Sequence, residues 1–187
     1  GKSLEQNIYL SFKFKNKINQ SVIDIDNMID FHVLNFAKNH LQKILKLDYK
    51  IKYINNFNDL KNIFNIEYLA PVKIIDFKEK NKFDAIISTN VLEHIPYKNL
   101  LKILEKFKKI ISNNGILSLL IDYSDHYSHT DQHITSGNFL RYSDKEFKKY
   151  NNSLLFQNRL RHYHYIDIFK NLKFKILKII KIGRAHV

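Results

Sequence analysis

A layered α/β fold with a mostly parallel sheet and helices on both faces is what this chain predicts, and three observations carry the prediction. The runs Asp84–Ser88 and Ile116–Ile121 are short and almost continuously apolar, the pattern of strands covered on both faces. Segments of helical period with one apolar face precede and separate them. Strand, helix and strand therefore alternate at a spacing that requires β-α-β crossovers. Hydrophobic residues make up 44% of the 187, enough to fill a core, so a wholly disordered chain is excluded. No internal repeat and no Pro/Gly-rich linker divides the sequence, which predicts a single domain over residues 1–181.

Taken in order, Ser3-x-x-Gln6 is a capping box that starts a helix on which Leu4, Ile8 and Phe12 share one face. Ser21–Ile25 is β-branched and reads as a strand ending in acids, Asp24 and Asp26. A long amphipathic helix follows, its apolar positions Ile29, Val33, Phe36, Ala37, Leu41, Ile44 and Leu45, with Asn27 or Asp26 able to cap it. Tyr49–Ile54 reads as a strand or a helix tail, Phe57–Phe64 as a short helix, Val72–Ile75 as a strand and Lys78–Lys82 as a charged turn. After the Asp84–Ser88 strand comes a helix over Lys98–Ser112, with Leu100, Leu101, Leu104, Phe107, Ile110 and Ile111 inward and Gly115 as its left-handed stop. Beyond the second apolar strand, Asp122–Tyr142 is a long polar stretch rich in His, Ser, Asp and Tyr, and a loop of that length in a compact domain points to function. Short helical pieces at Phe147–Tyr150 and Ile166–Lys170 and an alternating strand at Leu172–Ile176 complete the reading.

The absence of cysteine removes disulfides, thiolate metal sites and thiol nucleophiles. No apolar run approaches the ~20 residues that cross a bilayer, so no membrane partner is expected and the cytoplasm is the default compartment. The formal charge of +13 is mostly lysine spread along helix faces, in a chain dominated by residues with A/T-rich codons. Phosphate and base readers favour the arginine fork instead, so nucleic acid is not the expected partner. The four glycines, Gly1, Gly115, Gly137 and Gly183, leave no room for a G-x-G-x-x-G or a phosphate loop. A nicotinamide-dependent dehydrogenase is thereby disfavoured. The last six residues, Ile182–Val187, differ in composition from what precedes them and resemble a translated sequencing-adapter oligonucleotide, so they are expected to be a non-native tail.

In open α/β sheets ligands bind beyond the carboxyl ends of the strands. The segment Phe83–Pro96, FDAIISTNVLEHIP, lies at such an end. It closely resembles the fourth strand and following turn of class I S-adenosylmethionine-dependent methyltransferases, and Asn113-Asn114-Gly115 with its apolar strand resembles the next element of that family. The resemblance implies a Rossmann-like fold and S-adenosylmethionine as cofactor. It implies that Ser88, Thr89, Asn90 and Glu93 lie against the methionine end, that Asp24 or Asp26 meets the ribose hydroxyls, and that Asp76 stands near the adenine. It also implies that the family's first strand and G-x-G turn precede this chain, with Gly1 the last glycine of that turn, so that an N-terminally incomplete domain lacking its central strand is expected.

For methyl transfer a histidine near the donor can deprotonate a hydroxyl acceptor, and His94 and His126 are the candidates, the alternative for the Leu92-Glu93-His94-Ile95 element being a structural role at a helix start. Asp122, Asp125 and His129, with Arg141, Arg159 and Arg161, are the expected acceptor contacts. The run Leu155–Arg161 concentrates arginine in a chain that otherwise avoids it, which argues for an anionic or carboxylate-bearing ligand. The chain also resembles a subgroup with an SDHYSH…FLRYSDKE…QNRLR tail. His126-x-x-His129-x-x-x-His133 has a spacing that converging imidazoles can use for zinc, but nothing in the sequence fixes its geometry and no metal is expected. The reading is methyl transfer to a small-molecule or saccharide acceptor; the alternative is a non-catalytic basic α/β module binding RNA or another anionic partner.

Overall fold

The computed structural model describes residues 1–78, 82–153 and 156–181, which fall into two compact units, the first ending at Lys78. The expected tail at 182–187, Leu155 of the arginine-bearing run and the middle of the charged turn lie outside the described residues. The strands run parallel and alternate with helices, as the α/β reading requires, in two small sheets.

In the first unit α1 (Glu5–Lys13), β1 (Gln20–Ile23), α2 (Phe31–Ile44), α3 (Phe57–Phe64) and β2 (Ile66–Leu69) enclose one core. Leu4, Ile8 and Phe12 are buried there with Leu34, Leu41, Ile54, Leu60, Phe64 and Ile66, so the first apolar stripe is read correctly. The helix start is not. Leu4 sits before α1 in the left-handed region, φ 48°, with no side-chain cap, and Ser3 forms no box because burying Leu4 decides the entry angle. For α2, Asp30 rather than Asn27 or Asp26 accepts from His32 N and Val33 N. Its buried face is Leu34, Asn35, Ala37, Lys38 and Leu41, rotated from the expected one, and leaves Val33, Phe36 and Ile44 exposed.

That rotation has a polar cause. Asn35 donates to Ile54 O and accepts from Ile54 N, while Lys38 Nζ donates to Ile51 O and Lys52 O, so two buried polar groups hold residues 51–54 as irregular chain instead of strand or helix. Burial pushes the Lys38 ammonium below its ordinary value. β1 and β2 pair from Gln20↔Ile66 to Ile23↔Leu69, and Asp24 extends the ladder by donating to Leu69 O at 3.0 Å and accepting from Val72 N at 2.8 Å. The strand expected at Val72–Ile75 is therefore displaced upstream to β2. Pro71 lacks the N–H a ladder needs, and Lys73–Asp76 closes as a turn instead.

The second unit holds β3 (Phe83–Thr89), α4 (Tyr97–Ile110), β4 (Ile111–Leu120), α5 (Asp144–Phe147) and α6 (His162–Asn171). α4 buries Leu100, Leu104, Phe107 and Ile110, as its period predicts. Gly115 is not a helix stop but lies inside β4, whose ladder shifts register between Phe83↔Ile111 and Ala85↔Ile116. A Cβ there would stand 2.5 Å from Ile111 Cγ1, 2.9 Å from Ser112 Oγ and 3.0 Å from Phe83 O, so the close approach of the folded-back chain selects glycine. β3 and β4 are not covered on both faces: Ile87, Ile116 and Leu120 are exposed on one, while Ile86, Leu117 and Leu119 are partly buried on the other. Leu172–Ile176 forms no strand.

Candidate functional site

Because β3 and β4 are parallel, the turns that follow them emerge at one edge of the sheet, where the α/β rule places ligands. Asn90 leaves β3 with φ 52°, a conformation asparagine tolerates better than most residues, and its N–H donates to Leu120 O at 2.9 Å, latching the turn to the end of β4. A single 3-10 turn, Leu92–His94, follows with Leu92 and Glu93 buried. Asn158 secures it: its N–H donates to Glu93 O, and its amide donates to Leu92 O at 2.8 Å and Ile95 O at 3.0 Å.

From the end of β4, Asp122 turns its carboxylate back. Oδ1 accepts from Ser124 N at 2.8 Å and Ser124 Oγ at 2.7 Å. Oδ2 faces His126 Nε2 and His129 Nε2, each at 3.5 Å. Those histidines ride a 3-10 turn, His126–His129, capped by the buried Asp125, which accepts from Tyr127 N. The buried Gln157 staples the same loop, accepting from His126 N and donating to Ser124 O.

Glu93, His94, Asp122, His126 and His129 thus converge. His94 and His126 meet edge to face with ring centroids 4.8 Å apart, and His126 stacks on His129 at 4.9 Å. Since Phe156 O can only accept, His94 Nδ1, 2.9 Å away, carries the proton and leaves its Nε2 lone pair free. Neither oxygen of Glu93, a residue 3% exposed, has a hydrogen-bond partner among the described residues, nor does His126 Nε2. Burial drives the Glu93 carboxyl above its usual range, outweighing the nearby backbone N–H groups of Glu93 and Asp122 and the adjacent His94, which pull it down. Burial pulls His126 down, with His94 acting the same way, so it is neutral near pH 7. At Asp122 burial works upward, but the two Ser124 bonds and the facing histidines outweigh it and hold the group below its usual value. Burial pushes the Tyr123 hydroxyl up to about 12.

Two cavities adjoin. One of about 10 Å³ is lined by Glu93, Asp122, Tyr123 and Asn158 among others. A larger one of about 190 Å³ is walled by Tyr127, Tyr142, Tyr150, Phe139 and Phe147, with Asp125 at its edge and Phe139 shared between the two.

The arginines stand differently from their expected acceptor role. Arg159 is committed to Phe139 O, Tyr142 O and Asp144, and its guanidinium lies 4.5 Å from the Phe147 ring centroid. Arg161 is bound to Tyr123 O and lies over the Tyr123 ring. Both forks hold the fold together, which argues against an anionic ligand there, and Arg141 is exposed on the surface. His133 lies outside the cluster, its N–H bonded to Asp131 Oδ1. In the first unit Asp24 is half-buried at the end of β1 and oriented by the Tyr68 hydroxyl at 3.3 Å, whereas Asp26, Asp76 and Gly1 are exposed. Ser88 and Thr89 end β3, and Asn90 begins the turn after it.

Gln157 and Asn158 act as staples of the two turns, a role that sequence reasoning missed. Sequence reasoning also missed the aromatic walls Phe139, Phe147 and Tyr150; the readable signal was the recurrence of aromatics through residues 139–150. Residues 29–119 match the family model described as a methyltransferase domain. No curated protein matches the chain.

Proposed function

The chain carries a methyltransferase domain of the class I S-adenosylmethionine-dependent family, whose members bind S-adenosylmethionine as methyl donor, and on that premise we propose that it methylates a hydroxyl of a small-molecule or saccharide acceptor. The observation that carries this reading is the convergence of His94, His126 and Asp122 at the carboxyl ends of β3 and β4, next to an aromatic cavity of about 190 Å³. Flat aromatic walls with a few polar groups suit a compact, hydroxylated ring.

Fit to the cofactor is local. Asp24 has one oxygen oriented by Tyr68 and the other without a partner among the described residues, which suits a carboxylate accepting from a vicinal diol better than the unheld Asp26 does. The Ser88–Asn90 turn, latched to β4, is proposed to meet the methionine end. When bound, the cofactor supplies a methyl group on a sulfonium that is already activated.

The protein then has two tasks, alignment and proton removal. The aromatic walls hold the acceptor ring. His94, its Nδ1–H fixed on Phe156 O, presents Nε2 as the base. As the acceptor oxygen bonds to the methyl carbon, its proton passes to that nitrogen and the electron pair of the broken S–C bond stays on sulfur. Deprotonation by a neutral imidazole typically contributes 10²–10⁴-fold.

Calorimetric titration with S-adenosylmethionine and S-adenosylhomocysteine, followed by S-adenosylhomocysteine release across a panel of polyols, sugars and phenols, tests the proposal. Binding of the cofactor and turnover with at least one hydroxyl acceptor, lost in His94→Ala, are expected. No heat with either compound and no turnover would sink it.

A further inference from the structure

We infer that Asp122, His126 and His129 form a site for one divalent transition-metal ion, with the buried carboxylate of Glu93 beside it. The sequence offered His133 as the third histidine and nothing to hold it; the structure supplies two carboxylates instead.

The distances fit. Asp122 Oδ2 is 3.5 Å from each imidazole Nε2, too long for a good hydrogen bond. It is close to the separation that two bonds of about 2.0–2.1 Å make at a roughly tetrahedral angle. The Asp122 carboxylate is already aimed by Ser124, and Gln157 holds the backbone of His126. Without an ion, His129 Nε2 donates to Ser124 Oγ, whose own proton goes to Asp122 Oδ1. A cation bound at Nε2 requires the other tautomer of the neutral ring, the proton passing from Nε2 to Nδ1 and the freed Nε2 lone pair going to the metal.

Glu93 is the independent observation. A carboxylate 3% exposed with both oxygens unpartnered is a costly arrangement unless a cation answers it. Its ligand atom lies within 4.8 Å of those of His94 and His126, and His126 Nε2 is likewise buried without a hydrogen bond.

Two imidazoles with carboxylate suit Zn²⁺, Mn²⁺, Fe²⁺ or Co²⁺ rather than the all-oxygen shells of Ca²⁺ and Mg²⁺. Three protein ligands leave a position open, where a hydroxyl of the acceptor would bind and be acidified before His94 takes its proton. That catalytic use rests on the methyl-transfer reading; the existence of the site does not.

The test is calorimetric titration of Zn²⁺ into the chelator-treated protein with no cofactor or acceptor present, with the visible spectrum of Co²⁺ as a second readout. One ion per chain is expected. Asp122→Asn and His129→Ala should each weaken binding at least about tenfold, while His133→Ala matches the parent. Circular dichroism in chelator checks folding, and should Asp122→Asn not fold, His129→Ala on its half-exposed ring carries the comparison. No saturable one-to-one binding, or binding undiminished in both variants, overturns the site. Zinc binding without any S-adenosylmethionine heat supports the site and removes the methyl-transfer reading, and the reverse result does the opposite.

Discussion

Glu93→Gln should make the metal-free protein more stable at alkaline pH. The substitution keeps the shape of a side chain that is 3% exposed and removes a charge that neither oxygen can share with a partner. Burial raises the carboxyl above the ordinary carboxylate range. A raised folded-state value means that the folded protein prefers the protonated form. The stability from this group is therefore complete below the ordinary carboxylate range and drains away as pH rises through the folded value. Glutamine does not titrate, so the variant's advantage opens over that window. A buried polar group without a partner costs about 1–3 kcal/mol and an ionised one more. The glutamine amide also lacks partners, so only the excess due to charge is recovered, on the order of 1–2 kcal/mol. For a chain of this size 1 kcal/mol moves Tm by roughly 2–4 °C, giving a gain of about 2–8 °C at pH 8 and almost none at pH 4. Thermal melts by circular dichroism in chelator across that pH range measure it. An equal or lower Tm at pH 8, or the same offset at pH 4, would refute the reasoning. In saturating zinc the order should reverse, because the parent then gains a ligand charge that the variant lacks.

Other outcomes follow from single contacts. Gly115→Ala forces a Cβ against Phe83 O and Ile111; overpacking of about 1–3 kcal/mol outweighs the roughly 0.4–1 kcal/mol gained from a stiffer unfolded chain, so urea melts should show a less stable protein, and an unchanged midpoint contradicts the geometry. Asn158→Ala frees the carbonyls of Leu92 and Ile95, costs about 1–3 kcal/mol, and should lower kcat for methyl transfer more than it raises KM, because the Glu93-His94 turn loosens while the aromatic walls remain. Arg159→Lys keeps the charge but loses the fork across Phe139 O and Tyr142 O; the wall of the aromatic cavity slackens, so acceptor KM should rise with S-adenosylmethionine affinity unchanged, and a variant with parental KM argues against that cavity as the acceptor site.

Where sequence reading succeeded, the signal was local and periodic. Leu4, Ile8 and Phe12, the inner face of α4 and the bounds of α3 depend on which residues recur at helical spacing, and that survives folding. The two apolar strands were legible for the same reason. Where it failed, several local solutions had nearly equal energy. Asp26, Asn27 and Asp30 all cap well, and packing of Leu34 and Leu41 chose the last. Ile66–Leu69 and Val72–Ile75 are both short and apolar, and only pairing with β1 separated them.

The site divides along the same line. The segment Phe83–Pro96 carried the resemblance to a methyltransferase as a string of residues, and residues 29–119 match the family model of a methyltransferase domain. Residue identity also removed thiol chemistry, since there is no cysteine. What each charged group does was decided only by tertiary contacts. Arginine looks the same in sequence whether its fork meets a ligand or, as with Arg159 and Arg161, its own backbone carbonyls. Glu93 and Asp122 are far apart along the chain and meet because two parallel strands end at one edge, which brings them to the same histidines. Periodicity is a property of neighbours along the chain and can be read from it; the pairing and orphaning of polar groups belong to neighbours in space, which exist only once the chain has folded.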